Sequence, residues 1–253
     1  MNIAGSGSLP GGVYDESISI SGSGHVNGDV ACKDFTVSGS GHVQGSLTAN
    51  GCYRISGSSH VDGEVYAEEF HVSGSCHVGG KVTVKETASI SGSTKCESLR
   101  ANEIQISGGC SIEGDMTAEV ARIKGSIQSD GLLNAEDIEI EFYSKSRFGS
   151  IGGCKITVTR HSSERKGFHL FSRGQKNTKD VLTVSESIEG DEIYLEHVTA
   201  KEVSGRIVTI GPGCNIETLS YAESLELSPE SYVQNIIGPD IMEMPEDRTL
   251  LMH

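Results

Sequence analysis

Apolar and polar residues alternate over short stretches of the chain, and the alternation returns about every 17 residues. Val30-x-Cys32 is followed by Phe35-x-Val37, and equivalent pairs recur downstream. A period of two is typical of a half-buried β-strand. Equivalent residues of successive units are therefore expected to stack in inward rows. One predicted row contains Val37, Ile55, Val72, Ile90, Ile106, Ile123 and Ile140.

A glycine-rich block separates the apolar pairs. The first copy, SGSGHVNGDV at residues 21–30, returns as SGSGHVQGSL from Ser38, SGSSHVDGEV from Ser56 and SGSCHVGGKV from Ser73. Weaker copies follow, and the steps between leading residues are 17, 18, 17, 18, 16 and 17. We expect the glycines of each block, such as Gly22 and Gly28, to turn corners with positive φ.

The length of the repeat restricts the fold. Helical solenoids need units of roughly 33 to 47 residues, which is longer than the unit found here. Short strands joined by glycine corners, with coils stacked about 4.8 Å apart, predict an all-β fold, a single-stranded parallel β-helix with coils of about 17 residues. Connections between parallel strands are strongly right-handed as a rule, so we expect the right-handed form.

The pattern divides the chain into five segments. We expect a flexible N-terminal lead-in at 1–16, β-helix repeats at 17–158, a basic insertion loop at 159–180, a β-helix continuation at 181–237 and a C-terminal tail or cap at 238–253. The insertion has six basic and two acidic residues, so its net charge of +4 leaves −19 on the remainder of a chain whose total is −15.

Insertions in solenoids map to loops on one face, often the binding face. Arg165, Lys166, Phe168, Phe171 and Arg173 combine positive charge with aromatic rings, a mixture that suits an anionic membrane surface or an acidic filament wall. They are the candidate contact residues of the insertion. The alternative is that the apolar residues fold back onto the wall of the solenoid.

Charge and cysteine content indicate the compartment. A net charge of −15 repels phosphate backbones and argues against a nucleic-acid partner. The seven cysteines are odd in number and form no CxxC pair, which favours free thiols in a reducing cytosol. The polar start of the chain suggests no signal peptide, and no membrane-spanning run is evident. We expect a cytoplasmic protein, and a peripheral position at the inner face of the cell membrane is a further expectation.

Two files of polar side chains are candidates for chemistry. His25, His42, His60 and His77 share one repeat position and should stack outward, but ligands in a single file do not converge as a metal site requires. A second file is expected to be acidic, with interruptions at Gly51 and Val120. Its predicted members are Asp34, Glu69, Glu86, Glu103 and Asp137. Catalytic carboxylates must differ in environment, whereas these look equivalent, so we expect no catalytic, cofactor-binding or metal site.

Units of the form I-x-[IV]-S-G-x-x-x-V-x-G-x-[VL]-x-A resemble those of the bactofilins, bacterial polymer-forming cytoskeletal proteins. The resemblance covers residues 17–140 well and residues 181–237 more loosely. It implies a non-enzymatic filament former that needs no nucleotide and organises the cell envelope in shape or motility. The chain departs from the family in being longer than a compact core and in carrying the basic insertion.

The ends of a solenoid support the same expectation, because unpaired strand edges invite another chain. The predicted polymer-end residues are Ile18, Ile20, Leu225, Leu227 and Tyr232. The expected partner is a second copy or a related family member, with no small-molecule substrate. No cofactor is expected, since the chain has no phosphate-binding loop.

Two alternative functions belong to other classes. A polysaccharide-directed β-helix, either a lyase or an adhesin, would use a carboxylate cluster, and a secreted lyase would carry a signal peptide. A hexapeptide acyltransferase would show a strict six-residue beat and a catalytic histidine, for which His161 or His169 are weak candidates.

Overall fold

The structure is a computed structural model that describes residues 1–161 and 181–239. In these residues all paired strands are parallel, and they stack into a β-solenoid of about 13 turns with a spacing of about 17 residues. No helix occurs in these two ranges. The predicted all-β parallel β-helix is therefore confirmed, while its handedness stays a prediction.

The N-terminal coils are built mainly from short strands. They are β1 (Asn2–Ile3), β2 (Ser6–Val13), β3 (Ile18–Ile20), β4 (Ser23–Cys32), β5 (Phe35–Val37), β6 (Ser40–Val43), β7 (Leu47–Ile55), β8 (Ser58–Val61), β9 (Val65–Val72), β10 (Ser75–Val78), β11 (Val82–Val84), β12 (Thr87–Ile90), β13 (Ser93–Cys96), β14 (Leu99–Arg100), β15 (Glu103–Ile106), β16 (Gly109–Ile112), β17 (Met116–Thr117), β18 (Val120–Ser129) and β19 (Leu132–Asn134). Bends and turns between these strands give each coil its corners.

The strands lengthen toward the C-terminal end. They are β20 (Asp137–Phe142), β21 (Ser146–Phe148), β22 (Ser150–Arg160), β23 (Leu182–Leu195), β24 (Val198–Ile210), β25 (Asn215–Leu227) and β26 (Tyr232–Ile237). β22 pairs with β23, so the solenoid is continuous on either side of the segment that connects residues 160 and 182.

Two inward rows run almost the length of the solenoid. The first is Ile3, Ile20, Val37, Ile55, Val72, Ile90, Ile106, Ile123, Ile140, Val158, Leu195, Ile210 and Leu227. The second is Gly12, Val30, Leu47, Val65, Val82, Leu99, Met116, Leu133, Ile151, Ile188, Val203, Leu219 and Ile236. The predicted stacking of Val37 to Ile140 is confirmed. Each buried aliphatic side chain contributes roughly 1.5–3 kcal/mol.

The beginning of the chain differs from the sequence-based expectation. Residues 1–16 are not a loose lead-in, since β1 pairs with β3 and β2 pairs with β4 to make a first coil. Ile3 continues the first inward row, and the buried Leu9 pairs with the buried Val26, which explains why this glycine-rich stretch is ordered. Ile18 and Ile20 are fully buried beneath this coil, so the prediction that they form a polymer end is wrong.

The boundary of the insertion also moves. Thr159 and Arg160 belong to β22 and pair with Glu141 and Phe142. The predicted contact residues Arg165, Lys166, Phe168, Phe171 and Arg173 lie outside the described residues, as does most of the predicted tail at 238–253.

The corner glycines are required mainly by contact between coils rather than by φ. A Cβ added to Gly74 would lie 1.9 Å from the carbonyl oxygen of Gly57, although the backbone there has no positive φ. Positive φ occurs at Gly28 (106°), as predicted, but not at Gly22. Stacked corners therefore bring adjacent backbones so close that no side chain fits between them.

Candidate functional site

The predicted file of histidines is present on the outer wall. His25, His42, His60 and His77 pair in register across β4, β6, β8 and β10. Their ring centroids are separated by 5.1, 5.0 and 4.7 Å in turn. Lys95 continues the file on β13.

Two members of the file converge on a carboxylate that the sequence reasoning did not consider. The Nε2 atoms of His42 and His60 each lie 2.9 Å from Oδ1 of Asp62. The hydrogen bond from His42 is the main reason that the pKa of Asp62 lies below its usual range. A metal site was discounted because a single file does not converge, but Asp62 supplies the convergence.

A comparison of the repeats shows that this carboxylate is particular to one of them. The residue two positions after each histidine is Asn27, Gln44, Asp62 or Gly79. Only Asp62 among these four carries a carboxylate. Asp62 occupies a position that varies between repeats, so the repeated histidine position alone does not reveal it.

A second group of potential ligands lies at a neighbouring corner. The ligand atoms of Cys52, Glu69 and His71 lie within 4.8 Å of one another, and Nε2 of His71 is 3.1 Å from Oε2 of Glu69. Burial raises the pKa of the Cys52 thiol, and the Arg54 guanidinium donates a hydrogen bond to its Sγ over 3.7 Å. The raised pKa leaves less thiolate to bind a cation, and the positive charge of Arg54 repels a cation even though its hydrogen bond lowers the pKa of the thiol.

Part of the predicted acidic file is present, but two of its pairings differ from the prediction. Cys52 rather than Gly51 pairs with Glu69, and Thr87 rather than Glu86 pairs with Glu103. Coil length varies between 16 and 18 residues, so an alignment by sequence alone slips by one position at this corner.

The carboxylates of this file make local contacts. Asp34 accepts hydrogen bonds from the backbone N–H of Cys52 and the hydroxyl of Ser17, at 3.0 and 2.8 Å, and these bonds lower its pKa. Glu103 accepts from Arg122 at 2.6 Å. Each of these three contacts joins adjacent coils, which is a structural role.

The outer wall also carries shallow grooves that bear on the polysaccharide alternative. One of about 450 Å³ is lined by residues that include Lys81, Glu97, Arg100 and Asp115. An adjoining groove of about 380 Å³ shares Arg100 and includes the exposed Tyr66. These residues offer charge and one aromatic ring on an open wall.

The last described coil ends at an open strand edge. β26 covers only residues 215–220 of β25, so within the described residues the segment 224–227 is paired on one side alone. Leu227 and Ile236 continue the inward rows, yet they are 41% and 48% exposed. Tyr232 is exposed at the same end, and Leu225 is partly buried against the core.

Residues 2–82 match the family model of the bactofilins, which is described as polymer-forming cytoskeletal. This stretch is similar to a bactofilin domain. The resemblance expected from the repeat is therefore confirmed for these residues. The matched stretch contains the whole file of histidines together with Asp62, whereas the coils continue beyond it to β26.

Two curated relatives of this chain come from Bacillus subtilis (strain 168). The uncharacterized proteins YhbF and YhbE are 38% and 37% identical over 105 residues, which is 41% of this chain. The match spans only 40% and 41% of the length of these relatives. No solved structure matches the chain significantly. In the part of the chain that the structure describes, no helix has the length and apolar character needed to cross a membrane.

Proposed function

We propose that this chain is a non-enzymatic structural protein that assembles end to end into filaments without nucleotide and organises the cell envelope in shape or motility. The similarity of residues 2–82 to the bactofilins, a polymer-forming cytoskeletal type, supports self-association. The observation that carries the proposal is the open edge of the last described coil, where residues of the inward rows are exposed.

Burial of the exposed inward-row residues at this edge would favour association. Leu227 stacks on Ile210, and Ile236 stacks on Leu219, and both lower neighbours are buried. A further coil placed on this edge would bury Leu227 and Ile236 in the same way and would pair the free backbone groups of 224–227. An exposed apolar strand edge is a template for another strand, so a second copy of the chain suits it.

The two inward rows begin at the opposite end of the solenoid. Ile3 begins the row that ends at Leu227, and Gly12 begins the row that ends at Ile236. Within the described residues, β1 and β2 are each paired on one side only. Open strand edges at both ends of the described solenoid would allow a coil stack to continue through successive molecules, and an association that does not close on itself produces a filament. The proposed partner is therefore this chain or a related family member, in the cytoplasm.

The test changes the edge without touching the wall. A double variant, Leu227→Asp with Ile236→Asp, places two charges where the next coil would stack, so it should shorten or abolish filaments. Both positions are exposed in the single molecule, so its fold should survive, as circular dichroism would show. The measurement is electron microscopy and light scattering in EDTA without ATP or GTP.

Tyr66→Asp is the matched control, because Tyr66 is 45% exposed but lies on the outer wall. This variant should form filaments of parental length. A parent that stays monomeric across concentration and salt would contradict the proposal, as would full-length filaments from the double variant.

A further inference from the structure

We propose that His42, His60 and Asp62 form a binding site for a borderline divalent cation, with zinc as the expected ion. The three side chains offer two imidazole nitrogens and one carboxylate oxygen within 4.8 Å of one another. Both Nε2 atoms already lie 2.9 Å from the same Oδ1. A cation that binds between these atoms would find its protein ligands already close together.

The donor set indicates the class of ion. Imidazole suits zinc, copper and nickel, whereas magnesium and calcium prefer oxygen ligands. Two histidines and one carboxylate match the three-ligand pattern of zinc sites that keep a position open for water or another donor. His60 and Asp62 are about half exposed, so an ion can enter from solvent without unfolding of the coil.

The backbone holds the two histidines in place. β6 and β8 are hydrogen-bonded neighbours, and the pairing of His42 with His60 is fixed by the adjacent pairing of buried Val43 with Val61. His25 packs on His42, and His77 stacks on His60 at 4.7 Å. Side chains ordered in this way lose less conformational entropy when they bind an ion.

Asp62 restricts the proposed site to the pair of His42 and His60. The other copies of the glycine-rich block have Asn27, Gln44 and Gly79 where the third copy has Asp62. Further along the file, Nζ of Lys95 lies 3.1 Å from Oε1 of Glu113 in the next coil. A positively charged side chain of this file can therefore form an ion pair with a carboxylate of the next coil without a metal ion. The test must therefore separate a metal site from a purely structural ion pair.

Binding is measured with tag-free full-length protein that has been stripped with EDTA and dialysed. Isothermal titration with zinc chloride, in excess magnesium, should show saturable binding at this site. Asp62→Asn and His60→Asn should each lose it. His25→Asn should keep it, because His25 belongs to the file but does not contact Asp62.

The melting temperature is a second readout, which distinguishes zinc binding from a purely structural ion pair. Zinc should raise the melting temperature of the parent and of His25→Asn, since a ligand that binds only the folded state stabilises it, and it should leave Asp62→Asn unchanged. An equal zinc response in the parent and in Asp62→Asn would overturn the proposal. So would loss of binding in Cys52→Ser with retention in Asp62→Asn, which would place the ion at Cys52, Glu69 and His71. Absence of saturable zinc binding in the parent would overturn it as well.

Discussion

The N-terminal coils at residues 17–135 and the C-terminal coils at residues 182–237 share their inward rows but differ in their strands and corners. β11 has 3 residues, whereas β23 has 14. The short strands are separated by glycine corners that stack from coil to coil. The long strands run through bends with few such corners. The rows thus define the fold, while the corners account for the visible sequence repeat.

The stack of corner glycines has an identifiable end. A Cβ on Gly108 would lie 2.0 Å from the oxygen of Gly92, and one on Gly125 would lie 2.3 Å from that of Gly108. The next residue in register is the fully buried Phe142. Beyond this point a side chain occupies the corner, so glycine is no longer required there.

The family match covers only part of the solenoid. It ends at residue 82, inside the region of regular glycine blocks, although paired coils continue to Ile237. The inward rows persist because Val, Ile and Leu substitute for one another within them.

The largest expected effect tests the shared rows. Val72→Asp in the N-terminal coils and Val203→Asp in the C-terminal coils each bury a carboxylate without a partner, because both positions are nearly or fully inaccessible. We expect each change to cost more than about 4 kcal/mol and to unfold the coils around it. Circular dichroism, thermal melting and limited proteolysis measure the loss.

His71→Asp is the matched control for Val72→Asp. It changes the adjacent, outward residue of β9 and loses an exposed pair with Glu69, which contributes less than about 1 kcal/mol. If Val203→Asp melted like the parent while Val72→Asp unfolded, the two regions would not share one kind of core.

Much of this core could be predicted from the sequence. Alternation places Val37, Ile55 and Val72 inward whatever the length of a coil, because each strand sets its own two faces. Register at the corners could not be predicted, since coil length drifts and Thr87 rather than Glu86 meets Glu103.

The first coil was missed for a different reason. Residues 2–13 contain few large apolar side chains, and the paired strand edge of the second coil supplies their order. Asp62 was missed because contacts between outward side chains of adjacent coils depend on the three-dimensional stack and not on the repeat.

An intermediate effect is expected at the corners. Gly74→Ala places a methyl group 1.9 Å from a backbone oxygen, whereas Gly205→Ala meets mainly side-chain carbons at 2.9 Å and one backbone oxygen at 3.0 Å. Forced movement of packed backbone typically costs about 1–3 kcal/mol, so Gly74→Ala should fall in or above that range. Gly205→Ala should cost less, because its side-chain neighbours can shift. Denaturant unfolding gives both values.

Gly109→Ala is the control within the N-terminal coils. An added Cβ at Gly109 meets nothing within 4 Å and the residue has no positive φ. Its stability should equal that of the parent or rise slightly, because alanine reduces the freedom of the unfolded chain. A ranking in which Gly109→Ala is as damaging as Gly74→Ala would mean that contact between coils does not explain the corner glycines.

The smallest expected effect on folding concerns the basic insertion, which lies in sequence between β22 and β23. These strands are already joined by pairing of Ile156 with Ile193 and of Val158 with Leu195, so changes between them should leave the stability of both regions intact. Residues 159–180 carry a net charge of +4, and the remainder of the chain carries −19. We therefore expect the insertion to be attracted to acidic walls or to anionic lipid over about 8 Å at physiological salt.

Arg165, Lys166 and Arg173 changed together to Glu should therefore abolish lateral bundling or lipid binding while melting temperature and filament length stay parental. Filament width by electron microscopy and sedimentation with anionic liposomes measure the two kinds of contact, and raised salt should weaken both in the parent. Changing the same three residues to Gln is the matched control, since it removes charge without reversing it and should give an intermediate loss. Bundles and liposome binding that persist unchanged in the Glu variant would mean that the charge of the insertion has no part in either contact, and that it only connects the two regions of the solenoid.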